Sequence, residues 1–460
     1  MRKEKDTLGE VEVPDQAYYG VQTARAVSNF PISGIKPHPI FIRASAMIKQ
    51  AAAQANMACG KLDKRIGRAI TQAAQQVIDG KWNEQFVVDV FQAGAGTSHN
   101  MNTNEVIANL AVESMGGKRG EYKLVHPNDH VNMSQSTNDV FPTAIRVAAL
   151  LLLEPFDPAA AKLEKALGAK GKAFDRIVKS GRTHLQDAVP VRLGQEFSAY
   201  AKAIGRARAR VRTASEPLKE LGIGGSAVGT GINTHPQYQK KMVSFLSKVS
   251  GLDLVPSKNL FERMQSMADF VEVSGALREL AVELIRIAND LRLLSSGPRT
   301  GFAEIVLPPV QPGSSIMPGK VNPVMAEVTN MVCFHVIGND QTVMMAAQAG
   351  QMELNVMMPV ISYNLLQSIE ILTNTMNVFA DRCVMGITAN RERCQDLADK
   401  SIGLATILNP SIGYEASASI AKEATATGKS LRQVVVERGI LTRAEVDKVL
   451  DPARMTEPRE

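Results

Sequence analysis

The segment "PGSSIMPGKVNPV", Pro312 to Val324, packs three prolines, two glycines, two adjacent serines, a lysine and an asparagine into thirteen residues. It holds no acid, and no histidine to activate Ser314 or Ser315. Three further clusters put small hydrogen-bonding residues where loops meet helices. They are "GAGTSHNMN" with Thr97, Ser98 and Asn100, "SQSTND" with Ser136, Thr137 and Asn138, and "GRTHLQD" with Thr183 and His184. Singly, such residues are ordinary helix caps, and an isolated histidine is usually structural. Together, hydroxyls, amides and helix N-terminal N–H groups hold carboxylates without fully neutralising them. Lys320 adds one point charge. A small dicarboxylic acid suits this polar, mostly neutral set. The glycines of "GIGGSAVGTGIN" lack the strand–turn–helix setting and downstream acid of a dinucleotide site, and no metal-ligand spacing or phosphate loop competes.

The elements that must position these clusters read as long helices. From Pro256 to Gly297 lie 40 residues with one internal glycine, Gly275. Fully helical, they would run about 60 Å. Leu277, Leu280, Leu284, Ile287, Leu291 and Leu294 recur there at gaps of three and four, the seam of a helix beside a near-parallel neighbour. Leu365, Ile369, Leu372, Met376, Phe379 and Cys383 repeat the pattern after Pro359, and further helical stretches follow Pro142 and Gly194. Long helices need partners of equal length, so an extended bundle shared between subunits is expected. Three domains are expected: residues 1–137, helices alternating with Gly/Asn-rich turns; 138–392, the long-helix bundle; and 393–460, short helices. In the last, Ser430 with Gln433 and Thr442 with Glu445 read as capping boxes around a stop at Gly439.

Composition bounds the function. Charged residues are 21% of the chain and the net charge is only +6, ordinary for a globular protein. The densest basic run, Arg206, Arg208, Arg210 and Arg212, alternates around a helix rather than forming a stripe, which argues against nucleic acid. Four dispersed cysteines in 460 residues fit a reducing compartment. The charged start lacks a signal-peptide core. The longest apolar stretch, near Ala144 to Leu153, contains Arg146 and is too short for a bilayer. A cytoplasmic protein is expected, without membrane or nucleic-acid partners.

"GSSIMPGKVNP" closely resembles the signature loop of the aspartase/fumarase superfamily. "GTSHNMNTNEVIAN", "HPNDHVNMSQSTNDVFPTA", "GRTHLQDAVPVRLGQEF" and "GGSAVGTGIN" resemble its other blocks in the same order, and the similarity runs through essentially the whole chain. Thr137, where fumarases typically carry serine, and the text "NPVMAEVTNMVCFHVIGND" favour the aspartase branch. Fumarate hydratase and an inactive crystallin-like scaffold are the alternatives. His99, usually apolar in aspartases, and Ser226, usually threonine, depart from the pattern. His99 adjoins a site cluster, which raises the expectation that it affects specificity.

The resemblance implies a mainly all-α, three-domain fold, a homotetramer with one twenty-helix core, and active sites shared by three subunits. It implies conversion of L-aspartate to fumarate and ammonia through an enediolate dianion. Thr97, Ser136, Thr137 and Ser315 would hold the β-carboxylate. Thr183, Lys320 and Asn322 would hold the α-carboxylate, and Asn138 and His184 the amino group. Glu327 matches the carboxylate that partners the histidine, and Ser314 the base, carried on a loop that closes over substrate. No cofactor is expected to be required, with room for a divalent cation as activator.

Overall fold

A computed structural model describes residues 1–458, mainly as helices joined by loops and small two-stranded sheets. The N-terminus forms a hairpin, β1 (Arg2–Asp6) and β2 (Gly9–Val13), with Arg2 opposite Val13. The Arg2 guanidinium fastens it by donating to the carbonyls of Pro14, Ala17 and Tyr19. Four helices follow: α1 (Val21–Asn29), α2 (Pro39–Ala58), α3 (Lys64–Ile78) and α4 (Thr97–Ser114). Asp63 caps α3 by accepting from Arg65 and Ile66. Ile42, Ile70, Phe86, Val106, Ile107 and Val125 fill the core among these elements.

Next comes α5 (Thr137–Ala173), 37 residues long. It begins before Pro142, where the sequence placed its start, and carries Pro142, Pro155 and Pro158 inside it. Arg146, which interrupts the apolar stretch, is 1% exposed and donates to Asp269 Oδ2 at 2.7 Å and to the Pro217 carbonyl. The hairpin of β3 (Val178–Thr183) and β4 (Gln186–Arg192) then leads into α6 (Leu193–Ser215). Strand β5 (Glu220–Leu221) pairs in parallel with β6 (Val255–Pro256), and α7 (Tyr238–Ser250) lies between them in sequence.

The segment expected to be one helix from Pro256 to Gly297 is two. Helix α8 (Leu260–Gln265) is separated from α9 (Ala268–Leu294) by Ser266 and Met267. Ser266 has φ −93 and ψ 126, outside the helical region, and its Oγ accepts the Ala268 N–H. Serine so placed ends one helix and caps the next. Within α9 the six-residue seam is buried throughout, as is the corresponding seam of α11 (Met358–Arg382). Between them runs α10 (Val324–Gln348). The short strands β7 (Ile305–Val306) and β8 (Thr388–Ala389) pair antiparallel.

The chain folds as two compact units. The first is Met1–Pro158, Ala209–Ala281 and Phe334–Thr373; the second is Ala159–Arg208, Val282–Cys333 and Asn374–Glu460. The long helices contribute to both, and polar ties join them within each. In the first, Arg278 pairs with Asp340 at 2.6 Å and Asn339 donates to Ser368. In the second, Tyr200 donates to Asp290, Asn330 to Asn289, and Lys162 to Asp381. The arginine run is absorbed into such contacts, Arg208 with Glu164 and Arg210 with Glu279. The second unit ends in α12 (Arg391–Lys400), α13 (Asn409–Ile412), α14 (Tyr414–Thr427), α15 (Leu431–Glu437) and α16 (Arg443–Val449). Both capping boxes form there, with Gly439 at φ 66 between them. These helices share a core of Leu404, Leu408, Ile420, Val434 and Leu450.

Candidate active site

The loop from Pro312 to Pro323 is pinned at its base and open at its tip. The Gly313 N–H donates to the Lys320 carbonyl at 2.8 Å, and Asn322 Nδ2 donates to the Gly313 carbonyl at 2.6 Å. A side chain at Gly313 would place Cβ 2.4 Å from the Lys320 oxygen, so the closure requires glycine. Inside the turn, Ser314 Oγ accepts two backbone N–H groups, from Met317 at 2.9 Å and Ile316 at 3.2 Å. Two such donors stabilise negative charge on the oxygen. Ser315, Ile316 and Lys320 stand exposed beside it. Glu327 follows in the first turn of α10.

Thr183 and His184 lie at the exposed tip of the β3–β4 hairpin, in the same unit as the loop. His184 and Leu185 form its two-residue turn with φ 56 and φ 59. That geometry normally takes Asn-Gly, and two ordinary residues in it carry strain of the kind found at functional sites. The hairpin's root is locked by a buried charge cluster, in which Arg182 and Lys179 both face Glu304 and Lys179 also donates to Glu196. Among the described residues no hydrogen bond or ion pair joins His184 to Glu327, or the hairpin tip to the loop.

The remaining candidates lie in the first unit, at the N-termini of α4 and α5. Gly94, Ala95 and Gly96 turn the chain into α4, with φ 62 at Ala95 and φ 88 at Gly96. Thr97, the first residue of α4, is exposed. Ser136 precedes α5, its Oγ accepting the Asn138 N–H. Thr137 begins the helix, and its Oγ accepts from Asn100 Nδ2 at 3.0 Å, which brings the two helix ends together. Asn138 Nδ2 donates to the Ala227 carbonyl at 2.8 Å, so its side-chain oxygen is the group left to accept. Asp139 is fully buried and binds three backbone N–H groups, of Ser136, Gly224 and Ser226. The "GIGGSAVG" segment is thus an anchor for the start of α5 rather than a nucleotide loop. Ser226 contributes its backbone at φ 57.

His99 does not line this patch. Its ring is 1% exposed, packed among Phe41, Phe86 and Phe141, with centroids 4.8, 5.9 and 6.2 Å away. Ser45 donates to the Phe41 carbonyl and therefore accepts from His99 Nε2, which leaves Nδ1 bare. Burial holds the imidazole neutral, with its pKa pulled down to about 3. One group escaped the sequence reading altogether: Lys49, fully buried in α2, donates to Asn100, Asn132 and Gln135. Its only signal was a lysine inside the apolar run "SAMIKQAAA".

Residues 9–338 match a family described as lyase, and residues 404–457 match the fumarase C C-terminus. An aspartate ammonia-lyase of Bacillus subtilis is 51% identical over 99% of this chain and 96% of its own length. One from Pseudomonas fluorescens is 52% identical, over 100% of this chain and 96% of its own. A crystal structure described as fumarate lyase:delta crystallin from Brucella melitensis, bound to cobalt, superposes with a TM-score of 0.95 at 51% identity, covering 99% of this chain and all of that one. A class II fumarase from Schistosoma mansoni superposes at 0.96 with 37% identity, each chain covered in full. The chain belongs to the lyase family of the aspartase/fumarase superfamily.

Proposed function

We propose that this chain is a carbon–nitrogen lyase that converts L-aspartate reversibly to fumarate and ammonia. Full-length identity near 50% to aspartate ammonia-lyases, against 37% to the fumarase, favours ammonia over water as leaving group. The observation that carries the mechanism is the pair of N–H groups on Ser314 Oγ.

A Cβ proton beside a carboxylate is weakly acidic because its loss puts a second charge on that carboxylate. Ser314, as the alkoxide, takes this proton; its two N–H donors favour the charged form. The enediolate dianion is held by Thr97, Ser136, Thr137 and Ser315. Preorganised donors of this kind are each worth roughly 2.7–4 kcal/mol. Thr183, Lys320 and Asn322 bind the α-carboxylate. Asn138, whose oxygen is free to accept, and His184 contact the ammonium, with Glu327 as the histidine's partner once copies assemble the composite site. The C–N bond then breaks, neutral ammonia departs with its electron pair, and Ser314 later returns its proton to solvent.

The assembly proposed is a homotetramer with composite sites. Supporting it, α10 carries an unpartnered apolar face in which Met331 is 65% and Phe334 59% exposed, with Val328 and Met345 along the same face. Such a face marks association. All four cysteines are free and no helix among the described residues is long and apolar enough to cross a membrane; both fit a cytoplasmic setting. No cofactor enters the scheme, and a divalent cation that favoured the closed loop would act as an activator. The test follows fumarate formation from L-aspartate and from L-malate by ultraviolet absorbance. A larger kcat/KM for L-malate would reassign the chain as a fumarase, and no turnover of either would leave a scaffold.

A further inference from the structure

We infer that Lys49 is a positioning residue for this elimination, acting through Asn100 to aim the Thr137 hydroxyl hydrogen at the substrate carboxylate. The inference rests on the assignment of Thr137 as a carboxylate donor.

Lys49 sits in the middle of α2 with no exposed surface. Its ammonium is bonded to three neutral amide oxygens: Asn100 Oδ1 at 2.7 Å, Asn132 Oδ1 at 2.9 Å and Gln135 Oε1 at 3.0 Å. Asp139, whose charge attracts it, is occupied by backbone N–H groups. Burial pulls the Lys49 amine down to about 7, opposed by the attraction of Asp139. A charge buried without a bonded counter-ion is costly, and an apolar side chain would serve packing alone better.

What the charge provides is direction. An ammonium only donates, so each amide around it must turn its oxygen inward. Asn100 then has its nitrogen facing away, and that nitrogen donates to Thr137 Oγ1 at 3.0 Å and to Asn132 Oδ1 at 3.2 Å. Asn132 Oδ1 also receives Asn104, while Asn132 Nδ2 donates to the Gln135 carbonyl. The lysine thus fixes the same orientations that the backbone supports, since Gln135 Nε2 donates to the Val131 and Met133 carbonyls. Thr137 Oγ already receives a hydrogen, so its own must leave in another direction. Among the described residues it donates to no protein acceptor. Thr137, 8% exposed at the start of α5 and with no protein acceptor for its hydroxyl hydrogen among the described residues, is set to donate to an anion.

Asn100→Asp separates this role from a structural one. Aspartate has the same shape and no N–H to give, and its ion pair with Lys49 offsets the lost bond to Asn132 Oδ1. It draws the Thr137 hydrogen inward instead. The expected result is an unchanged or raised Tm with kcat/KM for L-aspartate down at least about tenfold, the scale of one misdirected transition-state hydrogen bond. In a Thr137→Val background the same substitution is expected to cost little, the non-additivity of two residues acting as one unit. Repulsion by the added charge would persist there, and an undiminished loss overturns the inference. So does a neutral Asn100→Asp in a protein where Thr137→Val is impaired. If Thr137→Val alone is fully active, the assignment of Thr137 is what fails. Should Asn100→Asp not fold, the same cycle with Lys49→Met decides, under the same criterion.

Discussion

On the proposed mechanism Ser314 and Lys320 share a loop but act at different stages, and kinetics would distinguish them. Ser314→Ala removes the base and two N–H partners lose their acceptor, so kcat should collapse with substrate binding largely kept. Lys320→Ala removes a charge-assisted bond present in ground and transition states alike, so KM should rise as well. Equal, small losses from both substitutions would sink the assignment of this loop as the catalytic element. His99 supplies a different test. Its folded pKa, depressed to about 3, lies below the unfolded value near 6.5. The unfolded chain therefore binds the extra proton first, and stability falls as pH drops through that window, by about 2 kcal/mol at pH 5. His99→Leu abolishes this term. The variant's Tm should decline less than the parent's between about pH 7 and pH 5, with turnover of L-aspartate unchanged. A parallel decline in both proteins, or altered substrate choice, would contradict the buried, neutral placement. That placement was invisible in sequence because adjacency to Thr97 says nothing about side-chain direction: on a helix, residue 97 and residue 99 point to different sides.

Loop and helix boundaries set how accurately the chemistry is presented. The glycines at 313 and 319 were legible as turn-formers because "PGSSIMPGK" leaves them little else to do, and the closure across Gly313 and φ 77 at Gly319 agree. The bundle seams were legible too, since gaps of three and four survive any error at the ends. Ser266 was missed because the apolar periodicity around it outweighs one polar residue, although "SMAD" is a reasonable cap signal before Asp269. The network behind Thr137 could not be read, because Lys49, Asn100 and Asn132 are far apart in sequence and meet only through folding. At this scale the test is Gly313→Ala. The added Cβ meets backbone, not a flexible side chain, so the Gly313–Lys320 bond must open. Because the loop is largely exposed, Tm should shift by less than a core substitution would cost, while kcat falls by about tenfold or more as Ser314 loses its set position. Full activity in Gly313→Ala would mean that the closed base of the loop is dispensable.

Two units within one chain divide the proposed site residues between them. Thr97, Ser136, Thr137 and Asn138 belong to the first; Thr183, His184, Ser314, Ser315, Lys320, Asn322 and Glu327 belong to the second. Buried seams on α9 and α11 satisfy those helices, whereas the apolar face of α10 stays exposed. If copies associate and each site draws its residues from several of them, two different lesions can complement. Ser314→Ala subunits still carry Thr97, and Thr97→Ala subunits still carry Ser314. Mixed in equal amounts under conditions of subunit exchange, they should form some sites with both residues intact, about a quarter if exchange is random and closed symmetry is kept. Activity should therefore rise from near zero to about that fraction, with its time course following exchange measured by fluorescence transfer. Met331→Glu, which places a charge on the exposed face of α10, should lower the sedimentation coefficient and the activity together. Full exchange without any recovery would mean that each copy supplies both Thr97 and Ser314 to its own site, and an active monomer would remove the need for a shared one.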